Sequence, residues 1–258
     1  MDSIKEKAEN IINFFSNYSR VAVALSGGVD SAVLLSLVKD SKADVKAYYV
    51  KSAFQPKFEL DDALKLCKDT IPLTVIEIDI LSDKKIISNS VNRCYYCKKR
   101  IFTEIKINAE NDGCDIIADG TNGTDDISDR PGYKALQELG IISPLRKFGL
   151  TKNEIRQIAF ERNIPVFDKP SYACLATRIP CGTEITYEIL EKTENAENEL
   201  FKLGFKDFRI RYQNGDANLQ ISEKDMSALL KNRETILKAL QKYYNNVLLD
   251  LKGRNSDG

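Results

Sequence analysis

At 258 residues, the chain is long enough to bury a sizeable core and to divide into two domains. Its 38 Lys and Arg balance 38 Asp and Glu, which excludes a bulk positive field for holding nucleic acid. No apolar run approaches ~20 residues, which excludes a membrane-spanning helix, and the absence of histidine excludes imidazole as a metal ligand or general base.

Residues 1–7 are polar and charged and lack the apolar core of a signal peptide, so the expected location is the cytoplasm. Apolar residues at helical spacing (Ile4, Ala8, Ile11, Ile12, Phe15) predict an amphipathic helix over 4–18. A strand over 21–25 then runs into Ser26-Gly27-Gly28-Val29-Asp30-Ser31, and the residues from Asp30 onward read as a helix. A buried strand, a glycine turn and a helix N-terminus together form an anion site, because unpaired backbone N–H groups converge there. Gly27 and Gly28 allow close backbone approach, and Ser26 and Ser31 add hydroxyl donors. No Gly-Lys-Ser/Thr follows, so this is not the mononucleotide P-loop.

Strand and helix patterns alternate beyond the loop. Strands are expected at 43–49, 74–79, 114–119 and, briefly, 142–144; helices are expected at 59–68, 97–111 and 151–162, the last capped by Thr151 with Glu154. This alternation predicts an α/β fold with a parallel sheet flanked by helices, and a nucleotide at the carboxyl ends of the strands. The turn Asp119-Gly120-Thr121 and the acidic stretch through Asp125, Asp126 and Asp129 lie where they can reach that nucleotide or a phosphate-bound Mg²⁺. Arg146, Lys147 and Lys169 are candidate phosphate contacts, with Arg146 equally suited to a structural ion pair. From about Thr177 the pattern changes to a charged helix (187–203), two short strands (208–212 and 217–221) joined through Asn214-Gly215-Asp216, a helix (223–242) and a last strand (245–250). The expected division is therefore a nucleotide-binding domain over 1–177 and a smaller C-terminal α+β domain over 178–258, with a frayed polar tail.

Cys94 and Cys97 form a C-x-x-C at a helix start among Arg93, Lys98, Lys99 and Arg100, a setting that favours thiolate. With the remote Cys174 they supply three thiolate ligands. This suits a four-iron cluster with one iron lacking a protein ligand; a redox or persulfide-carrying set and a zinc site are the alternatives. Cys67 and Cys114 read as packing residues, and Cys181 as a candidate fourth ligand or resolving thiol.

Ser-Gly-Gly-Val-Asp-Ser resembles the PP-loop of the ATP pyrophosphatases. Taken in order with Arg-Cys-Tyr-Tyr-Cys-Lys, Asp-Gly-Thr-Asn, Arg-Pro-Gly, Ser-Pro-Leu and Pro-Ser-Tyr-Ala-Cys-Leu-Ala-Thr-Arg-Ile-Pro, it makes nearly the whole chain resemble the LarE family. The resemblance implies an ATP-dependent sulfur transferase. A carboxylate of a small-molecule substrate, pyridinium-3,5-biscarboxylic acid mononucleotide, is adenylated, and sulfur then displaces AMP to give a thiocarboxylate for the nickel-pincer nucleotide of lactate racemase. It implies that Ser26, Gly27, Gly28, Val29, Asp30 and Ser31 hold ATP, with Asp30 on Mg²⁺ and Asp119, Gly120 and Thr121 beside it. It also implies that Cys174 is the sulfur-bearing catalytic residue, sacrificed in one subgroup. In the other, Cys94, Cys97 and Cys174 hold a [4Fe–4S] cluster, and this chain has all three. Glu197 and Arg211 are the implied metal-binding carboxylate and phosphate-binding arginine, although Asp216-Ala217-Asn218-Leu219-Gln220 departs from the family pattern. A homo-oligomer, a hexamer included, is also implied. The alternative is a cluster-dependent tRNA-thiolating enzyme, supported only by the local basic patch around the cysteine pair.

Overall fold

The computed structural model describes residues 3–68, 70–125 and 131–254. The first half of the chain runs α1 (Ile4–Phe15), β1 (Arg20–Ala24), α2 (Val29–Asp40), β2 (Asp44–Lys51), α3 (Lys57–Cys67), β3 (Leu73–Glu77), α4 (Lys84–Ile87), α5 (Arg93–Asn111) and β4 (Ile116–Ala118). It continues as α6 (Pro131–Glu138), α7 (Pro144–Lys147), α8 (Lys152–Glu161), α9 (Tyr187–Lys202), β5 (Phe208–Gln213), β6 (Asp216–Ile221), α10 (Met226–Lys231), α11 (Arg233–Leu240) and β7 (Val247–Leu249). Two compact units result: Met1–Ile80 with Asn92–Lys169, and Leu81–Val91 with Pro170–Gly258.

The first unit is an α/β fold built on a parallel sheet of order β3-β2-β1-β4. β1 is an inner strand, and its Val-Ala-Val core is apolar on both faces, as a parallel strand covered on both sides requires. Successive residues alternate between the two faces. Val21, Val23, Val45 and Tyr49 pack with α1, α2, α3 and α8, whereas Ala22, Tyr48 and Ile117 pack with Phe102, Ile105 and Ala109 of α5. α2 buries eight of its twelve residues, so it sits in the core rather than at the surface. The capping box predicted for α8 is present: Thr151 Oγ1 accepts from the Glu154 N–H, and the Glu154 carboxylate accepts from the Thr151 N–H.

The second unit packs a three-stranded sheet, β5-β6-β7, against α9, α10 and α11. Asn214 and Gly215 both have positive φ (50° and 95°), the backbone of a two-residue type I′ hairpin. Its extent differs from the division read at 177/178. Residues 81–91 join it because Asn89 donates through Nδ2 to the carbonyls of Ile179, Pro180 and Thr183. The Gly182 N–H donates to Asn89 O and the Ile185 N–H to Ile87 O, at 2.9 Å each.

Other local expectations also shift. The strand expected at 142–144 reduces to one bridge, Ala118 to Ile142, because Pro144 opens α7. The helix expected over 223–242 is a 3₁₀ turn followed by α10 and α11, which part at Asn232. The tail is tied as far as Arg254, whose Nε donates to Asp207 Oδ1 over 2.8 Å and whose N–H donates to Ile221 O. Among the described residues, no helix is long and apolar enough to cross a membrane.

Candidate functional site

The strand order reverses beside β1: β2 and β3 lie on one side of it and β4 on the other. The crevice outside the carboxyl ends of β1 and β4 is therefore the topological switch point, where open α/β sheets bind ligands. Ser26–Ser31 leaves β1 there, and Asp119-Gly120-Thr121 leaves β4. Gly27 has φ +75°, and a Cβ on it would lie 2.6 Å from the carbonyl oxygen of Glu59, so both conformation and space require glycine. Gly28 is the N-cap of α2 and leaves the helix without a side-chain cap, so the first N–H groups point into the crevice. Ser31 Oγ accepts from the Ser26 N–H and lies 3.1 Å from Ser26 Oγ, which folds the loop into a closed turn.

The two turns touch. A Cβ on Gly120 would stand 2.9 Å from the Ser31 backbone nitrogen. Asp119 is buried; its carboxylate accepts from Thr121 Oγ1 and from Ser143 Oγ, at 2.5 Å each. Lys98 Nζ stands 3.9 Å from the same carboxylate. Lys98 directly follows Cys97 in α5, so an unbroken set of neighbours links the glycine loop to the cysteine pair. Cys94 and Cys97 lie at the start of α5, three residues apart and hence on one face, Cys94 exposed and Cys97 half-buried.

Asp30, the second residue of α2, is mostly buried, and burial pushes its carboxyl pKa up against the opposing pull of Lys152. Lys152 Nζ donates to Asp30 Oδ2 over 2.6 Å, while Oδ1 is buried with no hydrogen-bond partner. An orphaned buried carboxylate oxygen at the start of a helix fits a hard cation carried with phosphate. The three basic candidates have other partners. Arg146 Nη1 donates to Asp125 O over 2.6 Å, Lys147 Nζ sits 4.1 Å from the Phe14 ring centroid, and Lys169 Nζ binds Asp62 Oδ2 at 2.5 Å. Asp126 and Asp129 lie outside the described residues.

In the second unit Cys174 is half-buried and caps the 3₁₀ turn Leu175–Arg178. Arg178 in that turn is 1% exposed and grips Glu197 with two bonds, Nε to Oε1 at 2.8 Å and Nη2 to Oε2 at 3.2 Å. Glu197 Oε1 also accepts from the Ile210 N–H, and Oε2 from the Tyr172 hydroxyl. Burial works against the Arg178 charge, and Glu197 outweighs it, holding the guanidinium pKa above its ordinary value. Glu197, implied by resemblance as a metal ligand, thus spends both oxygens on a buried ion pair in this structure. Arg211 Nε donates to Gln220 Oε1 over 3.0 Å and Nη1 to the Thr177 carbonyl; burial and then Arg178 and Arg254 lower its pKa. Arg209 is buried, held by the carbonyls of Phe208 and Ser171, with its pKa pushed down to about 10 by burial.

The tRNA methyl transferase HUP domain family matches residues 19–122, the stretch from β1 to the turn after β4. Over nearly the whole length, the chain is 32% identical to an uncharacterized protein of Synechocystis sp. (98% of this chain, 96% of the relative). It is 33% identical to an uncharacterized protein of Methanocaldococcus jannaschii (97% and 94%). It is 29% identical to the pyridinium-3,5-bisthiocarboxylic acid mononucleotide synthase of Lactiplantibacillus plantarum (99% and 94%). The chain belongs to the LarE family. By contrast, the match to a tRNA-specific 2-thiouridylase of Thermotoga maritima, 30% identical, spans 58% of this chain and 54% of that protein.

Within this LarE chain, Cys94 and Cys97 fit two positions of a thiolate-held cluster; Cys174 belongs to the other unit. Among the described residues, no assembled group of three or more Cys, Asp or Glu could hold a metal ion. Two contacts of this LarE site were not legible in the sequence. Lys152 stands in a basic stretch without any mark of its partner Asp30. Arg178 and Tyr172 sit beside Cys174 in sequence, but nothing local points to Glu197.

Proposed function

We propose that the chain adenylates a carboxylate of pyridinium-3,5-biscarboxylic acid mononucleotide with ATP and replaces AMP with sulfur, giving a thiocarboxylate. The first unit holds ATP: the backbone N–H groups of Ser26–Ser31 take the pyrophosphate, with Asp30 on the accompanying Mg²⁺. A carboxylate oxygen attacks the α-phosphorus, the bond to pyrophosphate breaks, and an acyl-adenylate forms. A sulfur nucleophile then attacks the activated carbonyl carbon, and AMP departs with the former carboxylate oxygen. Thiolate or sulfide is already ionised, so no imidazole base is needed, in keeping with a chain without histidine.

Cys94, Cys97 and Cys174 are the residues that would hold the sulfur-delivering [4Fe–4S] cluster. These three thiolates would leave one iron of such a cluster without a protein ligand, and the chemistry it would supply there is delivery of sulfide. Arg211 is the second unit's candidate for the substrate phosphate. The observation that carries this reading is the junction of Gly120 with Ser31 and of Asp119 with Lys98, which sets the cysteine helix beside the nucleotide turn.

The test is anaerobic turnover with the mononucleotide or with tRNA. AMP and pyrophosphate in equal amounts with a thiocarboxylate product are expected with the mononucleotide only. Iron should fall in Cys94→Ala, Cys97→Ala and Cys174→Ala. Thiolated tRNA would replace this reading with the tRNA alternative, and iron content unchanged in all three variants would remove the cluster.

A further inference from the structure

Lys152 opens α8, 122 positions along the chain from Asp30, yet their side chains form a 2.6 Å ion pair, each about a quarter exposed. The lysine is set from two sides. The Thr151–Glu154 capping box fixes the first turn of α8, and Lys7 of α1 donates to Glu154 Oε1 over 2.7 Å and to Gly149 O over 2.9 Å. Asp30 is set equally firmly, one residue into α2 from a glycine turn that admits no other residue at Gly27. With Oδ2 engaged by Lys152, the carboxylate has one rotation available, and Oδ1 is the oxygen left buried without a donor. Oδ1 belongs to the residue flanked by the anion-binding N–H groups of α2, where the cation accompanying a polyphosphate must lie.

We infer that Lys152 is a positioning residue: by holding one oxygen of Asp30 it turns the other toward the cation of Mg·ATP. This rests on the ATP-binding reading above. Lys152 then acts through Asp30 and not as a phosphate ligand, because its ammonium is already committed to the carboxylate.

The two roles separate by calorimetric titration of the full chain with ATP, once with Mg²⁺ and once with EDTA. Lys152→Met is expected to lose roughly ten- to a hundredfold of the Mg²⁺-dependent gain in affinity, the range for a charge-assisted hydrogen bond. Its affinity for ATP in EDTA is expected to match the wild type. Asp30→Asn should lose the same gain, and the double variant should be no weaker than Asp30→Asn alone. Lys152→Arg should recover part of it. Thermal melting reports whether each variant folds; should Lys152→Met not fold, Lys152→Ala, which also removes the donor and suits a helix, is read by the same criterion. Equal weakening with and without Mg²⁺, or losses that add in the double variant, would overturn the positioning role and make Lys152 a phosphate contact. Wild-type affinity in Lys152→Met would overturn it as well. A wild-type chain that binds no Mg·ATP would overturn the ATP reading beneath it.

Discussion

The buried pair Arg178–Glu197 gives the sharpest test of how the second unit is held. Both side chains are essentially inaccessible, 0% and 1% exposed. Glu197 gathers four donors: two from the guanidinium, the Ile210 N–H and the Tyr172 hydroxyl. Glu197→Gln keeps the shape and removes the charge. Arg178 then keeps its bonds to Ala173 O and Thr177 Oγ1 and shares one neutral amide oxygen of the glutamine, and it is left a buried cation without a counter-ion. Breaking such a pair by removing one partner costs about 3–5 kcal/mol. Arg178→Met should cost a similar amount, since Glu197 becomes the uncompensated charge. The double variant removes both charges and should cost about 2–3 kcal/mol less than the sum of the singles. Because the chain has no tryptophan, urea unfolding is followed by far-UV circular dichroism. A Glu197→Gln loss under about 1 kcal/mol, or additive single costs, would refute the argument. So would loss of bound metal from Glu197→Gln at unchanged stability, because the carboxylate would then matter to a metal and not to the buried pair.

Other expectations follow from the first unit. Gly27→Ala should destabilise by roughly 1–3 kcal/mol, through positive φ and the 2.6 Å approach to Glu59 O, with ATP affinity lost in the same titration. Gly120→Ala should weaken ATP binding more than it lowers the melting temperature, because its Cβ pushes on the Ser31 nitrogen; wild-type affinity would contradict the contact between the two turns. Burial pushes the Cys67 thiol up to about 11, from an ordinary 9.0, so near pH 8 its thiolate is about a hundredfold scarcer. Iodoacetamide mapped by mass spectrometry should therefore label exposed Cys94 long before Cys67. The Asp112 carboxyl is held below the ordinary carboxylate range by hydrogen bonds from Lys46 and Tyr48. Its contribution to stability is present above that range and is lost as pH falls through the depressed value. Lys46→Met should therefore move the acid-unfolding midpoint upward, and an unchanged midpoint would contradict the pairing.

Much of the first unit was legible because its signals are local. Strand alternation, the glycine turn and the Thr151–Glu154 box each act over a few residues, so β1, α2 and the start of α8 follow from the sequence near them. The cysteine pair was legible for the same reason, since a spacing of three on a helix puts both thiols on one face. α6 was not foreseen: its register is set by Gly132 packing on the backbone of Cys94 and the stem of Lys98, neighbours only in the folded chain. That residues 81–91 group with the second unit was not legible, because Asn89 binds carbonyls some 90 residues away, a pairing without a local signature.

The α/β class, the glycine loop and the cysteine pair at a helix start can be read from the residues in order, because each rests on chain geometry over one or two turns. That Gly120 abuts Ser31, that Lys152 holds Asp30 and that Glu197 is spent on Arg178 follows only from the folded chain. Those choices depend on which strand ends and helix faces the sheet order brings together, and a side chain's partner across 19 or 122 residues is fixed by topology and packing rather than by its neighbours in sequence.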